Sequence, residues 1–267
     1  WENAMRMNNT CDRLCMPEMD VDFWVECVKT AVRTDIGWVP EEPGTSLYIR
    51  PFMIATDPYI GVRASDKYYF IVIMSPVGSY YSTGINPVKI YIETEYVRAV
   101  KGGTGFTKCG GNYAASIKSQ VQAHKAGYEQ VLWLDGVHRE YIEEVGTMNV
   151  FFKIDGEIIT PALEGSILPG ITRKSCLELL RSNGHRVAER RLALKEVEDA
   201  AKAGKLEEIF GTGTAAVISP VGEIKLGDEK IKVNNGEIGP VSRWLYDSLT
   251  GIQWGRLPDP YGWTTQV

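Results

Sequence analysis

Apolar positions along the chain alternate between helical and extended spacing. Within residues 22–33 they recur close to helical spacing behind acidic residues, which predicts a helix. Residues 46–54 and 67–74 are dense in Tyr, Ile, Phe and Val, which predicts two strands. Residues 75–87 then contain two prolines and two glycines, a composition typical of a connection between domains.

The same alternation continues to the C-terminal end. Strands are predicted at residues 88–94, 129–134 and 228–233, and helices at 112–126, 172–180, 195–203 and 241–249. Residues 151–160 have the pattern of a hairpin, with Asp155 and Gly156 suited to a type I′ turn. Because helices and strands interleave throughout, we predict an α+β protein, most simply an enzyme of two domains.

Composition excludes several classes of protein. The chain of 267 residues has a net charge of −5, which argues against general nucleic-acid binding. Its five cysteines are odd in number and lack Cys-x-x-Cys spacing, which favours reduced thiols and a cytoplasmic location. The three histidines lie far from any cysteine at zinc-ligand spacing, so no metal is expected. No apolar run approaches the roughly 20 residues of a membrane span.

A glycine-rich stretch at residues 101–112 carries the most specific chemistry. Lys108 lies between two glycine pairs, and Tyr113 follows five residues later. A lysine held this way is either a phosphate contact or an amine that reacts with a carbonyl, although a plain surface turn has the same composition. The stretch fails the phosphate-loop pattern of nucleotide-binding proteins because Cys109, rather than Ser or Thr, follows the lysine.

Two further segments are suited to binding an anion. Residues 168–173 place a Pro-Gly turn directly before a predicted helix, whose first N–H groups point outward. Residues 211–216 form a Gly-Thr-Gly-Thr loop rich in hydroxyl and N–H donors. A phosphate seat, a lysine amine, a tyrosine and a glutamate at position 144 are together the set that pyridoxal 5'-phosphate requires.

On these motifs the chain resembles the branched-chain amino acid aminotransferases of the fold-type IV pyridoxal-phosphate family. The matching segments span nearly the whole chain: residues 46–52, 102–116, 130–135, 144–151, 160–173, 210–221 and 249–255. The resemblance implies a smaller N-terminal α/β domain over residues 1–80, a connection over 81–88, and a larger cofactor-binding domain over 89–267. That larger domain is expected to hold a pseudo-barrel of strands with flanking helices.

The resemblance also implies roles for individual residues. Lys108 would form the Schiff base with the cofactor and carry the proton, Glu144 would pair with the pyridine nitrogen, and Tyr113 with the phenolic oxygen. Thr147 would line the face of the cofactor. The implied phosphate seat consists of Arg6, the backbone N–H groups of Ile171 and Thr172, and Thr214. The implied substrate contacts are the N–H groups of Thr214 and Ala215, Tyr48 contributed by the neighbouring subunit, and Arg50, which shares a strand face with Tyr48.

Each implied role has a simpler competitor. Glu144 has an acidic neighbour and fits an ordinary solvated acid, and Tyr113 fits a core residue at a helix start. Tyr48 and Arg50 fit plain strand residues, and Arg6 fits an exposed basic residue near a terminus. The sequence also departs from some relatives, which carry a redox Cys-x-x-Cys where residues 215–219 have no cysteine, so no thiol switch is expected there.

The implied activity is a homodimeric transaminase that moves amino groups between leucine, isoleucine or valine and 2-oxoglutarate. Alternatives within the same fold are a D-amino acid transaminase and an aminodeoxychorismate lyase. A third alternative is a fragment that binds cofactor or partner subunits without turnover. The chain opens at Trp1 without an initiator methionine, and the family has a longer N-terminal portion, so we expect a truncated small domain with an incomplete substrate pocket.

Overall fold

The chain folds into two compact units, residues Trp1–Ser82 with Thr265–Val267, and residues Thr83–Thr264. A computed structural model describes residues 1–78 and 85–267. Half of the predicted connection at 81–88 therefore lies outside the described residues, and the predicted domain limits stay a prediction. Below, the first is called the small unit and the second the large unit.

Among its described residues, the small unit contains two helices and one pair of antiparallel strands. Its elements are α1 (Glu2–Arg13), α2 (Val21–Thr34), a 3₁₀ turn (Ile36–Trp38), β1 (Ser46–Ala55) and β2 (Tyr68–Val77), with β1 and β2 antiparallel. The carboxylate of Asp20 accepts the N–H of Phe23 at 2.8 Å and so caps the start of α2. Trp24 of α2 packs against Phe70 of β2 with ring centroids 6.2 Å apart. This contact anchors α2 on the two-stranded sheet.

The large unit carries nine strands and four helices among the described residues. Its strands are β3 (Val88–Ile92), β4 (Gln130–Leu134), β5 (Ile142–Val145), β6 (Met148–Ile154), β7 (Glu157–Thr160), β8 (Arg186–Glu189), β9 (Leu206–Gly213), β10 (Val217–Leu226) and β11 (Glu229–Lys232). Its helices are α3 (Gly110–Lys125), α4 (Ile171–Ser182), α5 (Leu194–Lys202) and α6 (Pro240–Gln253), with a 3₁₀ turn at Asn234–Gly236.

Six of these strands close into a ring. Following the hydrogen-bonded neighbours gives the order β10–β3–β4–β5–β6–β9 and back to β10. Strand β3 is parallel to both β4 and β10, and the other pairs in the ring are antiparallel. Strands β7 and β8 continue from β6, and β11 pairs with β10. The ring confirms the predicted α+β fold with a pseudo-barrel and flanking helices.

The main core of the large unit lies between the ring and helices α4 and α6. Phe151 of β6 and Phe210 of β9 are fully buried and stack with centroids 5.2 Å apart. Leu180 of α4 and Leu245 of α6 pack in the same cluster and are equally inaccessible to solvent. Burying each of these side chains stabilises the fold by roughly 1.5–3 kcal/mol, so α4 is held firmly against the ring.

Local patterns predicted most of these elements and missed a few. The hairpin at residues 151–160 is confirmed, and its turn residues Asp155 and Gly156 have φ of 50° and 75°. Helix α1 and strands β5, β8, β9 and β10 were not predicted. Gly211 belongs to β9 instead of a loop, and a Cβ there would lie 2.9 Å from the Cε of Met148, so a larger residue would require the Met148 side chain to shift.

Candidate active site

Lys108 and Tyr113 are brought together at the start of α3. The Nζ of Lys108 donates a hydrogen bond to the Oη of Tyr113 at 2.7 Å, and both side chains are exposed. The preceding loop packs so tightly that a Cβ on Gly105 would lie 2.2 Å from the carbonyl oxygen of Ser166. Glycine there is therefore a steric requirement.

Asn112 fixes the loop that carries Lys108. Its amide nitrogen donates to the carbonyl oxygens of Thr104 and Thr107, both at 2.9 Å, and its amide oxygen accepts from the hydroxyl of Thr104 at 2.9 Å. Asn112 is buried, so these bonds are shielded from competing water. No functional role was predicted for Asn112 from the sequence.

Glu144 is a buried carboxylate on β5, with 3% of its surface exposed. Its Oε1 accepts the backbone N–H of Leu168 at 2.8 Å, and its Oε2 lies 3.3 Å from the Nε of Arg98. Arg98 is also buried, which makes this an internal ion pair. The competing interpretation of Glu144 as a solvated acid is therefore wrong.

Burial raises the pKa of Glu144 to about 7, although the positive charge of Arg98 and the N–H of Leu168 act in the opposite direction. The neighbouring charge of Glu143 adds to the rise, whereas Lys108 lowers the pKa. Small changes in nearby positive charge therefore decide whether Glu144 is ionised near neutral pH.

Arg98 is a site residue that the sequence analysis missed. One end of its guanidinium faces Glu144, and the other donates to the carbonyl oxygens of Gly105 and Ser166. The hydroxyl of Ser166 in turn donates to the carboxylate of Glu143, whose pKa is raised by burial. The one sequence signal for Arg98 was its position just before the glycine-rich stretch. A single arginine in an irregular segment is weak evidence of a functional role.

A cleft that is partly open to solvent lies beside these residues. Its lining includes Arg98, Asn112, Tyr113, Glu144, Thr147 and Leu168. Thr147 occupies the turn between β5 and β6 and is exposed. Gly146 in the same turn has φ of +57°, and a Cβ there would meet the side chain of Gln130 at 1.9 Å. The positive φ and the closeness to Gln130 therefore favour glycine at position 146.

Helix α4 begins at Ile171, immediately after the Pro-Gly turn, as predicted. Ile171 and Thr172 are its first two residues, whose N–H groups have no acceptor within the helix. Arg173 anchors this first turn, because its buried guanidinium donates to Glu189 at 2.9 Å and to the carbonyl oxygen of Pro161 at 3.0 Å. Such a helix start is suited to an anion.

The remaining predicted site residues are not part of the cleft lining. Thr214 and Ala215 are exposed in the turn between β9 and β10 of the large unit. Tyr48 and Arg50 lie on β1 of the small unit, where Arg50 donates to the hydroxyl of Tyr48 at 3.0 Å, so the two do share a face. Arg6, on α1, donates to Asn3 at 3.0 Å.

Among residues 1–78 and 85–267, none of the helices has the length and apolar character that a membrane span requires. Nor do these residues contain a group of three or more His, Cys, Asp or Glu side chains that could hold a metal ion.

Comparison with known proteins identifies what this chain is similar to. The family model for amino-transferase class IV matches residues 2–224. Branched-chain-amino-acid aminotransferase 2 of Bacillus subtilis is 57% identical over 266 residues, covering 100% of this chain and 73% of that protein. Branched-chain-amino-acid transaminase 1 of the same organism is 51% identical, covering 100% of this chain and 75% of the relative.

Solved structures agree with the sequence relatives. The crystal structure of the branched-chain amino acid aminotransferase of Escherichia coli superimposes with a TM-score of 0.83 at 28% identity, covering 99% of this chain and 83% of that one. A second crystal structure, the T.th. branched-chain amino acid aminotransferase with pyridoxamine 5'-phosphate, superimposes with a TM-score of 0.84 at 27% identity, covering 99% of this chain and 82% of the other.

Proposed function

This chain belongs to the class IV aminotransferase family, and we propose that it transfers amino groups between L-leucine, L-isoleucine or L-valine and 2-oxoglutarate. The observation that carries the proposal is a cleft lined by Tyr113 and the buried carboxylate of Glu144, with the amine of Lys108 bonded to the hydroxyl of Tyr113. Relatives named as branched-chain aminotransferases match over the full chain and supply the substrate class.

The residues present fit pyridoxal 5'-phosphate. A protonated ring nitrogen requires a carboxylate acceptor, and Glu144 is a buried carboxylate that is paired with the cation of Arg98. The first turn of α4 supplies N–H donors suited to a phosphate, and Lys108 supplies a primary amine. When bound, the cofactor supplies an aldehyde that accepts the amino group and a ring that accepts electrons.

Lys108 performs the proton chemistry in this proposal. Its amine would attach the cofactor and, once displaced by the substrate amine, would take the proton from the substrate's Cα and deliver it to the C4′ carbon of the cofactor, with the opposite transfer in the second half-reaction. Tyr113 orients that amine, since its hydroxyl accepts the hydrogen bond from Nζ at 2.7 Å. Asn112 keeps the lysine-bearing loop in place, so the amine does not have to be reordered in each cycle.

Glu144 supplies the electrostatic contribution. A positive ring nitrogen beside this carboxylate would favour its ionised form, as Arg98 already does. Because both Glu144 and Arg98 are buried, the interaction is screened less than a surface ion pair would be. The carboxylate would thereby hold the ring nitrogen protonated.

The remaining roles belong to the same proposal. Arg6, the N–H groups of Ile171 and Thr172, and Thr214 would bind the phosphate. The N–H groups of Thr214 and Ala215, Tyr48 contributed by the neighbouring subunit, and Arg50 would bind the substrate, and Thr147 would lie against the cofactor's face. Support comes from the helix start at Ile171 and from the contact between Arg50 and Tyr48.

We further propose that the chain acts as a homodimer in the cytoplasm. On α3, Ile117 and Val121 are 60% and 47% exposed and one helical turn apart, which suits a protein interface. None of the five cysteines forms a disulfide, in keeping with a reducing compartment. Sedimentation equilibrium would measure the mass: twice that of the chain is expected, and a monomer at micromolar concentration would contradict the dimer.

The test of the activity is a visible absorption spectrum of the chain with cofactor, before and after addition of L-leucine. A lysine-bound cofactor band that disappears with L-leucine and returns with 2-oxoglutarate is expected. A band that responds to D-alanine instead would favour a D-amino acid transaminase. A band that responds to no amino acid would favour a chain that binds the cofactor without turnover. The names of the relatives disfavour both outcomes.

A further inference from the structure

Two side chains of the β5–β6 hairpin hold one residue of the segment before α4. Glu144 on β5 and Asn149 on β6 are opposite each other in the antiparallel register. Glu144 accepts the N–H of Leu168 at 2.8 Å, and Asn149 donates its amide N–H to the carbonyl oxygen of Leu168 at 2.9 Å. Both polar groups of the Leu168 backbone are therefore fixed from the same hairpin.

The contact at Leu168 lies two residues before the N-cap of α4. After Leu168 come Pro169, whose ring fixes φ, and Gly170, the N-cap residue of α4. A Cβ on Gly170 would lie 2.0 Å from the Oδ1 of Asn149 and 3.5 Å from the Cβ of Arg173. Gly170 has φ of −69° and ψ of 135°, which any residue adopts, so closeness to Asn149 is the reason that glycine is needed.

Asn149 is 5% exposed and lies outside the set of residues to which a role was given above. We propose that Asn149 is a positioning residue that sets the first turn of α4 relative to Glu144. The phosphate end and the ring-nitrogen end of the cofactor site are thereby kept at one separation. This inference rests on the proposed function, because it takes α4 as the phosphate seat.

The proposal predicts a specific split in affinity. Pyridoxal and pyridoxal 5'-phosphate differ in the phosphate alone, so their dissociation constants from the cofactor-free chain isolate the contribution of α4. With Asn149→Ala, affinity for the phosphate ester should fall about tenfold, the equivalent of one lost buried hydrogen bond. Affinity for pyridoxal should stay within about twofold, because Lys108 and Glu144 keep their own contacts.

A matched control is available on the neighbouring strand. The buried hydroxyl of Thr160 donates to the carbonyl oxygen of Val150 at 2.8 Å, and it does not bond to Leu168. Thr160→Val removes one buried hydrogen bond of similar length. It should therefore lower stability without changing the ratio of the dissociation constants for pyridoxal and pyridoxal 5'-phosphate. If Thr160→Val produces the same split as Asn149→Ala, the effect is general loosening and the proposal is wrong.

Gly170→Ala gives an independent test if Asn149→Ala fails to fold. Alone, Gly170→Ala should weaken binding of the phosphate ester selectively, because the new methyl displaces either Asn149 or the start of α4. Added to Asn149→Ala it should cost nothing further, since the obstructing Oδ1 is gone. Additive losses, or equal losses for the two ligands, would overturn the inference. A wild-type chain with no preference for the phosphate ester would overturn the proposed site itself.

Discussion

The large and small units present their site residues in different ways. In the large unit Glu144 is buried and joined by Arg98 and Leu168, and Asn112 ties down the loop of Lys108. In the small unit Arg50 is exposed on a sheet of two strands, where it donates a hydrogen bond to the hydroxyl of Tyr48 at 3.0 Å. The first set is fixed by hydrogen bonds in the protein interior, and the second lies on a surface.

This difference suggests a division of labour. Proton transfer and charge stabilisation lose rate when reacting groups move by an ångström, so they need a rigid frame such as the closed ring of β3 to β6, β9 and β10. Two strands alone have limited stability, and recognition of different substrate side chains tolerates that lower rigidity. Changes in the large unit should therefore alter kcat, and changes in the small unit should alter KM.

The largest effect is expected from Lys108→Ala. Removal of the amine leaves no group to attach the cofactor or to carry the Cα proton, so turnover should fall at least about 10⁴-fold. The lysine-linked absorbance band should vanish at the same time. Lys118→Ala, which removes an exposed lysine from the same α3 helix, should leave both unchanged. Transamination by Lys108→Ala at the wild-type rate would show that Lys108 is not the catalytic amine.

Glu144→Gln should produce the next largest effect, with opposite signs for activity and stability. Loss of the carboxylate removes the partner of the ring nitrogen, so kcat should fall about 100-fold. The pKa of about 7 lies above the ordinary 4.5, so stability falls as pH rises between these values, because the folded chain binds more protons. The cofactor-free variant should therefore be the more stable chain at pH 8, by about 3 kcal/mol at most.

Thermal unfolding of cofactor-free wild type and Glu144→Gln at pH 5 and pH 8 measures this difference. Glu208→Gln is the matched control: Glu208 is equally buried, but it accepts the N–H groups of Val241 and Ser242 at the start of α6, each at 3.0 Å. That variant should be less stable than wild type at both pH values. A Glu144→Gln variant that is also less stable at both would show that Glu144 is a structural acid.

How far the sequence could predict this site depends on the kind of signal each residue carries. Lys108 and Tyr113 lie five residues apart in one segment, so their contact was readable from spacing. Arg98 and Ser166 are 68 residues apart and meet because the ring closes, which no local pattern reveals. Strand β5 was missed for a related reason: two adjacent glutamates suggested a solvated segment, whereas tertiary contacts bury them both.

Arg50→Ala should sharpen the comparison from the side of the small unit. If Arg50 contacts a dicarboxylate, its loss should raise KM for 2-oxoglutarate about tenfold, in the range of one charge-assisted hydrogen bond, and change kcat little. KM for leucine, which lacks the second carboxylate, should rise less. Arg63→Ala is the control, because Arg63 pairs with Asp57 and Asp66 in the same unit. A large fall in kcat for Arg50→Ala would contradict the division of labour.

The smallest effect on activity is expected at Asp135, which acts on loop stability alone. Burial raises the pKa of Asp135, but four backbone N–H donors outweigh it and lower the pKa to about 2. The donors belong to Val137, His138, Glu140 and Tyr141. Because the folded pKa lies below the ordinary 3.8, this stabilisation is complete above about pH 4 and is lost as pH falls toward 2. Asp135→Asn should leave kcat within about twofold and lower Tm by a few degrees at pH 6, a deficit that shrinks at pH 3.

Asp57→Asn is the corresponding variant in the small unit, where the carboxylate of Asp57 accepts the backbone N–H of Asp66 at 2.8 Å. Its Tm deficit should be smaller, because one backbone donor is involved instead of four. Equal deficits for the two variants would mean that the loops of both units are equally fixed, and the contrast in rigidity between the units would fail.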